Sequence, residues 1–393
     1  MKPTILLSVL LLLGLCSHGQ RNHDADQDYV MINRPFQISL IPFLGTNGFR
    51  SGRVSNVMSF NMIGGYNGGL KGMEFGGMFN ILRSHAYGVQ FAGVFNVVGG
   101  RTSGGQFAGL MNVGGDRIKG IQAAGALNIA GERTLGSQFA GLMNVSAGNL
   151  RGIQAAGAVN FAGSRSKEQE EDEWVFAANP HQLAGESGSK GAQFAGFLNV
   201  ATGDFYGLQA SGFMNVARRM HGYQIGIINI AESVDNGVPI GLLSIVKDGY
   251  FRVEGGATES LTGVASLKIG VPRFYNIFSA GARVENGPST LAVGYGIGTK
   301  FRHGKRIAYN IDAVSYQLFR NGFSWDDLNQ LNRLSLNVSL HLAKRLAVYG
   351  GVAANVLISN NRENTIAPWT FFNETYNNTT VQIYPGVQAG IRL

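Results

Sequence analysis

Apolar and polar positions alternate with period two through much of this chain, and one alternating phrase returns every sixteen residues. In Gln106 to Val113, one face receives Gln106, Ala108, Leu110 and Asn112, and the other Phe107, Gly109, Met111 and Val113. The next copy sets Gln122, Ala124, Ala126 and Asn128 against Ala123, Gly125, Leu127 and Ile129. A helix would have to hold several interior glycines at about 1 kcal/mol each, so the phrase predicts strand. An asparagine marks the beat at Asn80, Asn96, Asn112, Asn128, Asn144 and Asn160, resumes at Asn199 and Asn215, and slips at Asn229. A fixed period over so many copies denotes a repeated supersecondary unit.

Each copy offers about ten strand residues, which at ~3.3 Å each and tilted would cross a hydrocarbon core. Charges fall in the turns, as at Asp116, Arg117, Lys119, Glu132, Arg133 and Arg151. Copies at 104, 136 and 191 read Q-F-A-G, and those at 120, 152 and 207 read Q-A-(A/S)-G. Likeness between alternate copies predicts antiparallel hairpins, in which odd and even strands run opposite ways.

The C-terminal third loses the repeat but alternates more cleanly. Leu334, Leu336, Val338, Leu340 and Leu342 point one way, and Arg333, Ser335, Asn337, Ser339 and His341 the other. Val381, Ile383, Val387, Ala389, Ile391 and Leu393 oppose Gln382, Tyr384, Gln388 and Arg392. Short and long connections alternate after Leu291, a habit of outer-membrane barrels.

The expected fold is therefore all-β, a single antiparallel up-and-down transmembrane β-barrel of the outer-membrane type with roughly 20 strands. Residues 36–255 supply repeat-built strands, interrupted by an insertion at 164–190, and 256–393 supply further strands of the same barrel. That insertion falls on the short-turn side, where the strand count does not expect it. The competing architecture is a β-solenoid of sixteen-residue coils with the asparagines stacked as an internal ladder, joined to a smaller C-terminal barrel.

The first residues read as an export leader. Lys2 precedes the apolar run Ile5 to Leu15, and Ser17-His18-Gly19 offers a cleavage site, giving a leader at 1–19 and a flexible tail at 20–35. Cys16 invites a lipoprotein reading, but Leu15 is too large for the position before a lipidated cysteine. Cleavage after Gly19 leaves no cysteine, hence no disulfide and no thiolate chemistry.

Charged residues are only 14% of the chain, well below the roughly one quarter usual in globular proteins, while the 45% hydrophobic fraction excludes a disordered chain. The net charge of +8 comes from singly scattered basic residues without a basic run, which argues against a nucleic-acid partner and suits membrane headgroups.

The repeats, with F36-Q-I-S-L-I-P-F-L-G-T-N-G48 and F60-N-M-I-G-G-Y-N-G-G-L-K-G-M-E-F-G-G-M-F-N80, resemble a family of Gram-negative bacterial surface repeat proteins with tandem G-x-Q-x-A-G-x-x-N units. The resemblance covers Phe36 to Val246. It implies an exported, surface-associated β protein and offers no catalytic residues.

Candidate chemistry is sparse. Gln106, Asn112, Gln122, Asn128, Gln138 and Asn144 could line a conduit for uncharged polar solutes, or satisfy one another as a ladder, which is the simpler reading. The acidic run from Glu168 to Glu173 and the group His23, Asp24, Asp26 and Asp28 read as solvated segments rather than metal sites. No nucleotide loop or nucleophile elbow is present, so no enzyme and no cofactor are expected. Trp325, Trp369, Phe371 and Phe372 lie in long loops and could touch an extracellular partner or form an interfacial girdle. The expected function is an outer-membrane barrel, passing small uncharged solutes or anchoring a surface structural or adhesive protein. Its expected partners are outer-membrane lipid and the barrel-assembly machinery.

Overall fold

The computed structural model describes residues 31–164, 188–284, 289–303, 306–320, 328–343, 346–360 and 369–393. The leader, the acidic run at 168–173 and Trp325 lie outside the described residues. The strand Ile32–Ile41 begins within the segment expected to be a tail. The chain divides into two compact units, Met1–Gly222 and Tyr223–Leu393.

The first unit is a β-solenoid. Each sixteen-residue copy makes one coil with two strands, such as Thr102–Ala108 and Met111–Gly114, followed by Ile118–Ala124 and Leu127–Ala130. Successive coils pair in parallel and in register, so Gln106 lies against Gln122 and Asn112 against Asn128. This overturns the single barrel of roughly 20 antiparallel strands and realises the solenoid alternative.

The physical reason lies at Gly109. The chain turns a corner there, giving one strand of seven residues and one of four in place of a single strand of about ten, and Leu110 swings out to 52% exposure. The interior thus receives Gln106 and Asn112, six residues apart across a bend, rather than one flat face. A Cβ on Gly109 would stand 2.1 Å from the carbonyl oxygen of Gly93 in the previous coil, so only glycine permits the stacking distance.

The Q-F-A-G and Q-A-A-G alternation also has another cause. It is a bulk exchange on the outer surface. The Phe107 ring leans over Gly105, where a Cβ would meet its Cε2 at 2.7 Å; the next coil carries Ile121 beside Ala123 instead. Exchange continues inside. Gly114 leaves room for Ile118, whose Cδ1 would lie 2.2 Å from an added Cβ, while the corresponding positions one coil on are Ala130 and Thr134, both buried.

The second unit opens with the coil strands Ile228–Ile240 and Leu243–Val246 and continues into a closed barrel. Its eight strands are Tyr250–Thr258, Gly263–Val271, Phe274–Arg283, Thr290–His303, Ile307–Arg320, Asn329–His341, Ala347–Ser359 and Thr379–Arg392. Each is antiparallel to the next, and the first closes on the last with Glu254 opposite Arg392. Asn229 pairs in register with Ser244, whose N–H donates to Asn276 Oδ1 at 2.9 Å. An outward-parity residue of a barrel strand thereby receives the last coil.

Candidate functional site

The barrel strands partition as their alternation predicts. Leu334, Leu336, Val338 and Leu340 are exposed on the outside at 44–55%, while Arg333, Ser335, Asn337 and Ser339 are buried inside. Inward side chains fill the lumen in two zones.

In one zone, two cations and two carboxylates alternate. Lys268 Nζ lies 2.9 Å from Glu254 Oε1 and 2.8 Å from Asp312 Oδ2. Arg392 bonds Glu254 through Nε, and its Nη1 donates to Asn310 Oδ1 at 2.9 Å and Ser339 Oγ at 2.8 Å. Tyr275 donates to Asp312 Oδ1 at 2.6 Å, and Asn337 Nδ2 to Asp312 Oδ2 at 3.1 Å. The formal charges cancel, which is the condition for keeping ions away from water.

In the second zone, Arg333 pairs with Glu259 at 2.6 Å and donates to Asn355 Oδ1 at 3.0 Å and to the Val387 carbonyl at 3.2 Å. Glu259 accepts in addition from Asn355 and from the Val387 N–H at 2.8 Å. Tyr316, Leu318, Leu331, Leu357 and Tyr384 pack together as buried apolar filling. The sequence reading placed Arg333 and Arg392 on the polar face but missed Glu254, Lys268 and Asp312. Their signal is in the sequence, since each is a charge at inward parity flanked by uncharged neighbours, as Lys268 stands between Leu267 and Ile269.

The candidate conduit residues lie elsewhere. Gln106, Asn112, Gln122, Asn128, Gln138 and Asn144 are wholly buried inside the solenoid and form two amide ladders. Asn112 Nδ2 donates to Asn128 Oδ1 at 3.0 Å and to the Ala123 carbonyl at 2.8 Å; Asn128 Nδ2 donates to Asn144 at 2.9 Å and to the Phe139 carbonyl at 2.7 Å. The glutamine ladder runs the other way. Gln122 Nε2 donates back to Gln106 at 2.8 Å, and Gln138 Nε2 to Gln122 at 2.7 Å and forward to the Val145 carbonyl at 3.2 Å. Opposed ladders cancel their dipoles, and every amide oxygen named here is occupied. These side chains hold coil to coil and face no conduit.

At the head of the glutamine ladder stands Glu74, fully buried. Burial raises its carboxyl pKa above the ordinary value, and hydrogen bonds from Gln90, Asn67, Asn61 and Ser59 pull it down without cancelling that effect. Asp204, at a coil turn, behaves oppositely. Burial works against its charge, but hydrogen bonds and charges from Arg219 and Arg218 outweigh it and hold the carboxyl below its usual range.

Outside the solenoid, Phe75, Phe91 and Phe107 stack at 5.2–5.3 Å beside an open apolar groove of about 680 Å³ floored by Ala92, Ala108, Ala124 and Ala140. The other expected contact residues fall together. Phe372–Tyr376 forms an exposed hairpin strand against the last barrel strand, with Phe371 N–H bonded to the Ile383 carbonyl at 2.8 Å. Trp369 and Phe371 meet edge to face at 4.8 Å, 58% and 70% exposed, and Phe372 is 37% exposed. Among the described residues no group of three or more His, Cys, Asp or Glu is placed to hold a metal ion.

In comparisons with known proteins, no protein-family model, no curated protein and no solved structure matches this chain.

Proposed function

We propose that this chain is an exported outer-membrane protein whose eight-strand barrel is a membrane anchor, carrying the solenoid as a surface scaffold. The observation that carries the reading is the inverted partition of the barrel. Leu334, Leu336, Val338 and Leu340 face outward, while Lys268, Glu254, Asp312, Arg392 and Arg333 are buried inward. In water such a barrel would expose its apolar face and desolvate its charges; in lipid both faces are satisfied. The resemblance to surface repeat proteins and the leader-like first residues support the same location.

Passage of small uncharged solutes needs an open lumen. Two ion-paired zones with Tyr316, Leu331 and Tyr384 between strands speak against it. The exposed aromatic hairpin favours contact with an extracellular partner through Trp369, Phe371 and Phe372.

Expression of the full chain with its leader in a Gram-negative host tests the reading. The anchor reading expects outer-membrane fractionation, heat-modifiable gel mobility and no single-channel conductance in planar bilayers. A soluble protein without heat-modifiable mobility overturns it, and steady conductance replaces the anchor with a pore.

A further inference from the structure

The solenoid carries apolar side chains on its outer surface, its amides are buried in ladders, and its charges are not spread around the coil. Among the described residues between Phe79 and Gly222, every Lys, Arg, Asp and Glu lies three to seven residues before a ladder glutamine. That interval spans the turn and the first residues of the stretch that carries the glutamine, as with Asp116 and Arg117 in the turn and Lys119 at the start of Ile118–Ala124, so all charges share one edge of the solenoid. Nine are basic and three are acidic, namely Asp116, Glu132 and Asp204. The opposite edge is the Ala-Gly-Leu corner, where Leu110 and Leu142 are 52% and 60% exposed.

From this geometry we propose that the solenoid seats its Ala-Gly-Leu edge in one leaflet of a lipid bilayer, leaving the basic edge at the headgroups. Three features favour lipid over any folded partner. First, the apolar surface is convex. It runs over the outer face at Phe139, around the corner at Leu142, and back over the second face at the half-buried Met143. One flat partner covers a single side of such a ridge, whereas a fluid covers all three. The alanine-floored groove belongs to this same surface.

Second, the corner is dry in its hydrogen bonding. Leu110 N–H bonds to the Val94 carbonyl at 2.9 Å, and Ala126 N–H to the Leu110 carbonyl at 2.9 Å. The Phe139 carbonyl beside the corner takes the second hydrogen of Asn128. A segment in hydrocarbon must satisfy its backbone internally, and an ordinary solvent-facing turn has no such need. Third, the dimensions and charge agree. About five residues lie between the outer position of Gly105 and the corner, roughly 16 Å at ~3.3 Å each, close to one leaflet of a ~30 Å core. The excess of cations at the far edge then meets anionic headgroups.

The proposal concerns the first unit and stands independently of the barrel anchor. In the full chain with Cys16→Ser, single cysteines Leu110→Cys, Leu142→Cys and Arg133→Cys carry an environment-sensitive fluorophore, with Leu336→Cys reporting the barrel wall. The protein is reconstituted in phosphatidylethanolamine–phosphatidylglycerol vesicles containing acyl-chain or headgroup spin-labelled lipid. The expected result is at least fivefold stronger acyl-chain quenching at 110 and 142 than at 133, with 133 quenched best from the headgroup. Edge labels open to aqueous iodide overturn the proposal. So do edge labels shielded from both lipid and iodide that crosslink copy to copy, because a second chain then covers the ridge. Quenching at 336 without quenching at 110 and 142 removes this inference and spares the anchor; the reverse pattern removes the anchor alone.

Discussion

Gln90 Nε2 donates to Glu74 Oε2 at 2.9 Å, so the glutamine ladder begins on a carboxylate. The arrangement follows from ladder polarity. Glutamine amides donate toward the N-terminus and asparagine amides toward the C-terminus. At the first rungs, donors from Gln90, Asn61 and Asn67 converge on one side chain, with Asn61 and Asn67 reaching Oε1 at 3.1 and 3.0 Å. A glutamine there would turn its NH₂ toward one set of donors. Glu74 instead offers a carboxyl oxygen to each set, Oε2 to Gln90 and Oε1 to Asn61 and Asn67.

Because burial raises the Glu74 pKa, the folded state holds its proton more tightly than the unfolded chain does. Stability from this group is therefore fullest below the ordinary value of 4.5 and declines as pH rises toward the raised value, then levels off. Thermal unfolding in detergent across this range should show the decline in the parent protein. Glu74→Gln should abolish that pH dependence; an unchanged slope in the variant would assign the decline to another group.

Asn128→Ala removes the donor to Asn144, the donor to the Phe139 carbonyl and the acceptor for Asn112. Each buried polar group left alone costs about 1–3 kcal/mol, so the variant should lose at least about 2 kcal/mol. Leu110→Ala, at an exposed corner, should stay within about 0.5 kcal/mol. Equal midpoints for the two variants would deny the ladder its structural role.

Gly120 has φ +131°, and an added Cβ would stand 1.9 Å from the Gly104 carbonyl oxygen. The same glycine recurs at Gly104, Gly136 and Gly152 with φ of +132° to +141°. Gly120→Ala thus combines a backbone strain of about 1–3 kcal/mol with a clash against the neighbouring coil. It should prevent stacking or unfold the solenoid at moderate temperature. Gly263→Ala, with nothing within 4 Å of the new atom, should fold normally. Circular dichroism on the two variants decides.

Arg392→Ala takes one partner from a buried pair and leaves Glu254 facing Lys268 alone, while Asn310 and Ser339 lose a donor. Removing one member of a buried pair costs about 3–5 kcal/mol. The folded, fast-migrating gel form should disappear at a lower temperature than in the parent. A barrel of unchanged heat resistance would show that Arg392 is not needed to balance Glu254.

Strand, period and residue partnership were legible before any fold was known. Identical phrases sixteen residues apart can stack only like on like, and Gln106 does meet Gln122 while Asn112 meets Asn128. Alternation through Leu334–Leu342 and Val381–Leu393 likewise decided which barrel residues face outward, because a strand has only two sides. Direction was not legible. Period two treats Gln106 to Val113 as one straight strand, and only the corner at Gly109 turns it into two strands of a parallel coil. The exchange of Phe107 over Gly105 with Ile121 beside Ala123 imitates the signature of antiparallel hairpins, yet arises from side-by-side packing of bulk. Closure, too, belongs to tertiary structure. Glu254 and Lys268 lie on paired neighbouring strands, but Arg392 reaches Glu254 because Tyr250–Thr258 closes on Thr379–Arg392, and Lys268 reaches Asp312 inside the closed lumen, so that each charge neutralises another.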